Sequence, residues 1–360
     1  MRKILLLLAV LCLFSSVSYA RIFTADDDKE SIARYTQTIE KNPDDSRAYW
    51  VRGSHYSSLG LDELALADFN KAIEINMRLA SESADPTFKQ SRDYIEVTGN
   101  SYGGIARIYK QRGNTDKAIE YYTKEIEICA LMKPEAVDFA GLEITYANAL
   151  TARAHIYIEQ YKYDLAVADF TTAIDAFKTS KKSIPPFYVK ERAEVYCLMG
   201  EYDKAIEDFN RSIIYNWFGA ETICRRGDIY TIKGDYDKAL EDYNTALHFK
   251  NFSSALMGRA NVYAHCNQPE KAISDYSDAI HLYENYRNSI HLIVDNQRND
   301  SSCTQAYYLR GKVYFEQGEY HKTIKDCDKA IKLSPHYREA QQLKENALAK
   351  LRLSDVSSFK

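Results

Sequence analysis

The sequence predicts an all-helical protein built from repeated helix pairs, and three observations carry that prediction. Residues 201–210 read EYDKAIEDFN and residues 235–244 read DYDKALEDYN; they lie 34 positions apart and differ at three places, each by a chemically similar residue. A period of that length marks a stacked supersecondary unit. The 360 residues include only seven prolines but twenty-nine tyrosines, and are 45% hydrophobic and 27% charged. Few prolines favour long helices, abundant tyrosine points to an amphipathic aromatic at a recurring place, and the balance is too apolar for a disordered chain.

The N-terminus stands apart from the repeats. MRKILLLLAVLCLFSSVSYA carries Arg2 and Lys3, an apolar run from Ile4 to Phe14, and small residues at Ser18 and Ala20. That order predicts a secretory signal over 1–20, cleaved after Ala20. The apolar run is shorter than the roughly 20 residues a membrane span needs, and Leu11 is a poor residue to precede a lipidated Cys12. No later segment is long and apolar enough to cross a membrane. Cleavage leaves 45 basic against 51 acidic residues, a net charge of −6 in place of −4, and a mildly acidic chain offers nucleic acid no attraction. Six cysteines remain, at wide spacings that match no zinc pattern, and free thiols are expected. The expectation is an exported protein, periplasmic if the source is Gram-negative and secreted otherwise, with any membrane association peripheral or through a partner.

In the mature chain, 21–45 forms an N-terminal segment whose ESIARYTQTIEKNP (30–43) matches the second half of a unit, with Tyr35 as its aromatic; Asp26, Asp27 and Asp28 suit a helix N-terminus. Seven units follow over 46–337. Their second halves begin LDELALADFNKAI (61–73), NTDKAIEYYTKEI (114–126), KYDLAVADFTTAI (162–174), EYDKAIEDFNRSI (201–213), DYDKALEDYNTAL (235–247), QPEKAISDYSDAI (268–280) and EYHKTIKDCDKAI (319–331). A tyrosine stands five residues before each start: Tyr56, Tyr109, Tyr157, Tyr196, Tyr230, Tyr263 and Tyr314. Gly60, Gly113, Gly200, Gly234 and Gly318 sit at the turn, where a left-handed residue ends a helix cheaply.

Small residues recur in the first halves (Gly53, Ala106, Ala154, Ala193, Gly227, Ala260, Gly311) and alanines open the second (Ala65, Ala118, Ala166, Ala205, Ala239, Ala272), with Thr323 departing. An aromatic follows at Phe69, Tyr122, Phe170, Phe209, Tyr243 and Tyr276, with Cys327 departing. This small–Tyr–Gly–Ala–aromatic pattern resembles the tetratricopeptide repeat, and the resemblance covers most of the mature chain. It implies a right-handed superhelical solenoid of helix–turn–helix repeats. The repeats fall at 46–79, 99–132, 147–180, 186–219, 220–252, 253–286 and 304–337, with inserts at 80–98, 133–146 and 287–303, a capping helix at 338–353 and a tail at 354–360. Val137, Phe139, Leu142 and Ile144 suggest that the second insert prolongs helices, whereas NQRNDSS (296–302) reads as an exposed loop.

Internal comparison adds a pairing. Arg52, Arg153, Arg192, Arg226, Arg259 and Arg310 precede the small residue, and the same six repeats carry Asp68, Asp169, Asp208, Asp242, Asp275 and Asp326 before the aromatic. Repeat two has Ile105 and Tyr121 instead. Joint presence and joint loss predict a charge-assisted hydrogen bond between the helices of a unit.

Catalytic chemistry is hard to place. The eight histidines are scattered, and there is no H-E-x-x-H, no His/Cys cluster at metal spacing, no phosphate loop and no nucleophile elbow. No enzyme activity, cofactor, metal or catalytic set is expected. The resemblance instead directs attention to the fifth and ninth places of each first helix, which line the concave face in the family. Carried over, they supply the candidate peptide- or protein-binding residues Trp50, Arg107, His155, Lys190, Glu194, Asp228, Asn261, Tyr308 and Lys312. Some relatives hold a chaperone's C-terminal carboxylate with Lys and Asn at these two places; no repeat here has that pair. The expected function is a scaffold that binds a protein or peptide through this groove, within a cell-envelope assembly. The alternative is an enzyme or small-ligand protein with its site in the inserts at 80–98 and 287–303, where neither clustered His or Cys nor paired acids occur.

Overall fold

A computed structural model describes residues 25–85, 87–132, 141–179, 183–214, 219–249, 253–289 and 296–357. The signal sequence, Val137 and Phe139 lie outside them. The described residues form sixteen α-helices, and no strand occurs among them. The chain divides into two compact units, residues 1–195 and 196–360, each with its own packing.

In the first unit the helices are α1 (Ala25–Lys41), α2 (Ser46–Ser58), α3 (Asp62–Glu82), α4 (Arg92–Gln111), α5 (Thr115–Cys129), α6 (Leu142–Glu159), α7 (Tyr163–Thr179) and the first part of α8 (Pro186–Met199). The second unit holds the end of α8, then α9 (Tyr202–Ile214), α10 (Gly219–Lys233), α11 (Tyr236–Phe249), α12 (Ser253–His265), α13 (Pro269–Ser289), α14 (Asn296–Glu316), α15 (Tyr320–Leu333) and α16 (Arg338–Ser357). Helices pack as antiparallel neighbours in sequence order, α2 on α3, α4 on α5, α6 on α7, α10 on α11, α12 on α13 and α14 on α15. Each pair buries a stripe it cannot cover alone. Ala118 and Tyr122 of α5, for example, share a cluster with Ala106 of α4 and Ile156 of α6, so the core runs from repeat to repeat.

Every turn within a repeat uses a left-handed residue. Gly60, Gly113, Gly200, Gly234 and Gly318 have φ between +73° and +78°, and the two repeats without glycine place Tyr161 (φ 59°) and Asn267 (φ 56°) at the same spot. Paired glycines at 103 and 104 serve two separate close approaches. A Cβ on Gly104 would lie 2.6 Å from the Phe69 ring, and one on Gly103 would meet the Glu125 carboxyl at 2.5 Å.

The arginine–aspartate pairing is present wherever both members lie in one unit. Arg52–Asp68, Arg153–Asp169, Arg226–Asp242, Arg259–Asp275 and Arg310–Asp326 each form a two-pronged bond, Nε donating to Oδ2 at 2.7–2.9 Å and Nη2 to Oδ1 at 2.6–2.8 Å. Arg192 and Asp208 belong to different units. The structure adds a third prong. Nη1 of Arg52, Arg153, Arg192, Arg226, Arg259 and Arg310 donates to Thr36, Thr123, Thr171, Asn210, Asn244 and Ser277, at 2.5–3.1 Å. Each acceptor directly follows the aromatic of the preceding unit, so one guanidinium both closes its own helix pair and ties it to the previous one. Repeat two replaces the ion pair with packing: Ile105 is buried, and Tyr121 stacks on Tyr109 at 5.5 Å with Lys124 above its ring.

Three boundaries differ from the sequence expectation. Most of the first insert is helical: α3 continues to Glu82, a single 3-10 turn spans Phe88–Gln90, and α4 starts at Arg92 rather than at 99. Ser91 caps that start by accepting from the Tyr94 N–H, and Tyr94, Ile95 and Leu142 form a buried cluster that rewards the extra turns. The expectation of a loop at 296–302 is wrong, because α14 begins at Asn296. Its Asn and Ser residues individually favour turns, but burial of Cys303, Ala306 and Tyr307 further along anchors the helix. Tyr307 also donates to Glu284 of α13 at 2.7 Å. The last helix runs to Ser357, four residues past the expected end at 353. None of the six described cysteines forms a disulfide with another.

At the start of the first unit, α1 is fastened to α2 through a buried aspartate. Asp28 meets His55 Nδ1 at 2.6 Å and accepts from Ser58 at 2.8 Å. Burial opposes ionisation of Asp28, yet those two bonds hold its carboxyl below the ordinary range.

Candidate ligand-binding groove

Successive first helices touch one another in both units, α2 with α4 and α4 with α6 in the first, α10 with α12 in the second. Successive second helices approach less closely among the described residues. In each unit the first helices therefore lie nearer one another than the second helices do, and of their fifth places Gly103, Thr151, Cys224 and Met257 are buried. The tyrosine, alanine and aromatic places of each repeat are taken up by packing.

In the first unit Trp50 is half-buried on α2, packed against the Phe69 cluster with the Arg47 guanidinium 5.7 Å above its ring. Arg107 on α4 is exposed. His155 on α6 meets Glu191 of α8 at 2.9 Å through Nε2 and sets its ring edge-on to Phe170. Lys190 and Glu194 are half-buried on α8. In the second unit Tyr308 of α14 packs edge-on against Tyr337 at 5.3 Å, and Lys312 is exposed one turn further on.

Asp228 and Asn261 prove to be partly engaged. Asp228 accepts from the Tyr243 hydroxyl at 2.8 Å, and Asn261 from the Tyr276 hydroxyl at 2.5 Å. Both are ninth-place residues, and both hydroxyls belong to the aromatic of the same repeat. Where that aromatic is Phe69, Phe170 or Phe209, with no hydroxyl to satisfy, the ninth place holds Ser54, His155 or Glu194. An acceptor fifteen residues before a tyrosine is thus a sequence signal for this bond, and a reading of the ninth place as ligand-facing alone overlooks it. Burial raises both phenols well above their ordinary pKa, so they act as neutral donors.

Glu125 of α5 is the residue that a survey confined to first helices misses. It is 4% exposed, has no hydrogen-bond or ion-pair partner among the described residues, and its carboxyl lies against Gly103, the fifth place of repeat two. Burial pushes it up to about 8, with Arg107 the charge pulling the other way. The neighbouring Tyr122 phenol is pushed up to about 12 by the same burial.

The first insert borders an open depression of about 670 Å³ lined in part by Asn76, Asp85, Phe88, Gln90, Asp93 and Tyr94. Its acids are already engaged: Asp85 accepts from the Thr87 backbone and hydroxyl at 2.8 and 2.7 Å, and Asp93 pairs with Arg47 at 2.7 Å. Among the described residues no group of three or more His, Cys, Asp or Glu stands together as metal ligands, and no helix is long and apolar enough to cross a membrane.

Helices packed in successive pairs around a core that runs from repeat to repeat define a helical repeat protein of the solenoid class. Family models described as tetratricopeptide repeat match residues 29–83, 101–133, 220–250 and 304–346. The chain belongs to the tetratricopeptide-repeat family. The C-terminal part of a TPR repeat-containing protein from Cytophaga hutchinsonii is similar in fold, with a TM-score of 0.51 at 14% identity over 77% of this chain and 94% of that one. A tetratricopeptide repeat protein from Parabacteroides merdae aligns with a TM-score of 0.43 at 19% identity, over 69% of this chain and 98% of that one. In sequence, 98 residues are 32% identical to Hsp70-Hsp90 organizing protein 2 of Arabidopsis thaliana; the match spans 27% of this chain but only 14% of that protein's length.

Proposed function

We propose that the chain is an exported, non-catalytic scaffold that binds an extended peptide or a partner helix along the inner faces of its first helices, within a cell-envelope assembly. One observation carries this reading. The recurring tyrosine, alanine and aromatic places of the repeats are consumed by packing, while on the first helices Arg107 and Lys312 are exposed and Trp50 and Tyr308 partly exposed. Their mixture of aromatic and charged groups suits a polypeptide better than a polyanion, and aromatic or arginine anchors dominate such binding. The Arabidopsis relative is named for organizing Hsp70 and Hsp90. The Lys/Asn pair that would grip a terminal carboxylate is missing here, so the proposed ligand is an internal segment. Export rests on the leader-like first twenty residues.

Selection of short randomised peptides on the immobilised chain tests the groove. Trp50→Ala, Arg107→Ala and Tyr308→Ala, each checked for fold by circular dichroism, should weaken the selected peptides severalfold or more. Unchanged affinity in all three, with loss in Phe88→Ala/Gln90→Ala, would place the site in the first insert and overturn the reading. Intact mass of the protein recovered outside the cytoplasm should correspond to a start at Arg21; a retained leader would remove the case for a cleaved, exported chain.

A further inference from the structure

Repeat two is written unlike the other six. At the place where they carry Ala72, Ala173, Ser212, Ala246, Ala279 and Ala330, it carries Glu125. At the fifth place of the first helix, where the others carry a side chain, it carries Gly103. The two departures are physically one. A Cβ on Gly103 would fall 2.5 and 2.6 Å from the two Glu125 carboxyl oxygens, so the carboxyl of the second helix occupies the space that a fifth-place side chain would fill. A small residue has been exchanged for a large one on α5, and the reverse on α4.

The exchange puts a titratable group on the floor of the first unit's groove. Glu125 has no hydrogen-bond or ion-pair partner among the described residues and retains 4% of its exposure. A buried carboxyl without a partner is costly, and six sister repeats show that this place accepts alanine or serine. A ligand group that pairs with it would relieve the cost.

We propose that Glu125 is the floor of an alkylammonium subsite: a lysine of the bound peptide enters over Gly103 and pairs with the carboxylate. The inference rests on the groove reading above. The carboxyl fills the space of one missing side chain, and so narrow a place suits the compact ammonium on its slender stem better than a planar guanidinium. Arg107, exposed one turn along the same helix, disfavours a second basic residue beside that lysine and favours an acidic one.

The subsite is pH-dependent. Glu125 must lose its proton as the ammonium enters, and burial holds that proton up to about 8. The titratable groups around it do not compete near neutrality. Arg107 of α4 pulls the Glu125 carboxyl downward, while Tyr122 and Cys129 of α5 and Tyr146 of α6 have their ionisation pushed upward by burial. Since only the ionised fraction binds lysine, apparent affinity for the ammonium should rise about thirtyfold from pH 6.5 to pH 9.

The test is an array of randomised peptides built around a fixed central lysine or its uncharged isostere norleucine, probed with the full chain and with Glu125→Gln. The subsite predicts at least a tenfold lysine preference at pH 9, erosion of that preference at pH 6.5, and its absence in Glu125→Gln. Gly103→Ala, which displaces the carboxyl, should also abolish it while norleucine peptides still bind. Equal binding of lysine and norleucine peptides by the unmodified chain would overturn the subsite and leave the groove intact. A lysine preference that persists in both variants would overturn the role of Glu125. No binding by either array would remove the groove reading and the subsite with it.

Discussion

Replacing Glu125 by glutamine should change how stability depends on pH more than it changes stability at any one pH. Burial lifts this carboxyl from 4.5 to about 8 in the folded chain. An acid raised on folding binds its proton more tightly in the native state, so the resulting stability is fully present below about pH 4.5 and is lost as pH rises to about 8. Between pH 5 and pH 8 that loss amounts to about 3–4 kcal/mol. Glutamine keeps the shape beside Gly103 but cannot ionise, so it should remove this slope. The assay is urea unfolding at pH 5, 6.5 and 8, with amide hydrogen exchange on α5 reporting the first unit alone. Every other titratable group is common to both proteins, so the difference between the two slopes isolates Glu125. Parallel pH profiles for the two proteins would refute the reasoning, since they would mean that the carboxyl is already paired or solvated.

Two further perturbations probe the repeat itself. Burial raises the Asp242 carboxyl even with Arg226 beside it, so Arg226→Ala strands a buried acid and should cost about 3 kcal/mol. Asp242→Ala, leaving an arginine that is 21% exposed, should cost less, and the double variant should fall short of the sum by about 0.5–3 kcal/mol in denaturant unfolding; simple additivity would reduce the pair to independent charges. Tyr161 holds a left-handed turn at φ 59° and is 80% exposed, so Tyr161→Gly should stabilise the first unit by about 1 kcal/mol. Tyr161→Ala, which keeps a Cβ, should not, and equal effects of the two would locate the cause in the side chain's contacts instead of the backbone.

Most of the helical pairing was legible because each position of the repeat has one physical task. Ala118 or Ala239 can only be small, Phe170 can only be large, and seven copies in register make those constraints plain. The arginine–aspartate pairing was legible from the joint departure at Ile105 and Tyr121. Its third prong was not, because Thr36, Asn210 and Ser277 differ chemically while doing the same job. The segment at 296–302 misled because turn-forming Asn and Ser were weighed locally, whereas tertiary burial beyond Ser302 decides that helix. Glu125 stayed hidden for a different reason. Its carboxyl, carried by a second helix, fills the space that a side chain at residue 103 would take, and a survey of first-helix places sees that glycine only as an absence.

Repeat two departs in both of its couplings at once: the ion pair becomes Ile105 with Tyr121, and the small-against-large contact is inverted at Gly103 and Glu125. In a globular core such a change would be felt by every neighbouring element, because all share one interior. In a solenoid each repeat touches only the adjoining ones, so the cost of an unpaired carboxyl stays between α4, α5 and their immediate partners. Ile105, buried beside Phe69, Tyr102 and Ile108, supplies apolar packing on the same helix that carries the gap. Loss of the arginine also leaves Asn70, the residue that would receive its third prong, to bond the Leu66 carbonyl of its own helix at 2.8 Å. The junction between repeats one and two is instead tied by other groups: Arg47 of α2 pairs with Asp93 and Glu96 of α4 at 2.7 and 3.0 Å, Arg112 at the end of α4 donates to Asp62 of α3 at 3.1 Å, and Asn76 of α3 donates to Thr98 of α4 at 3.0 Å.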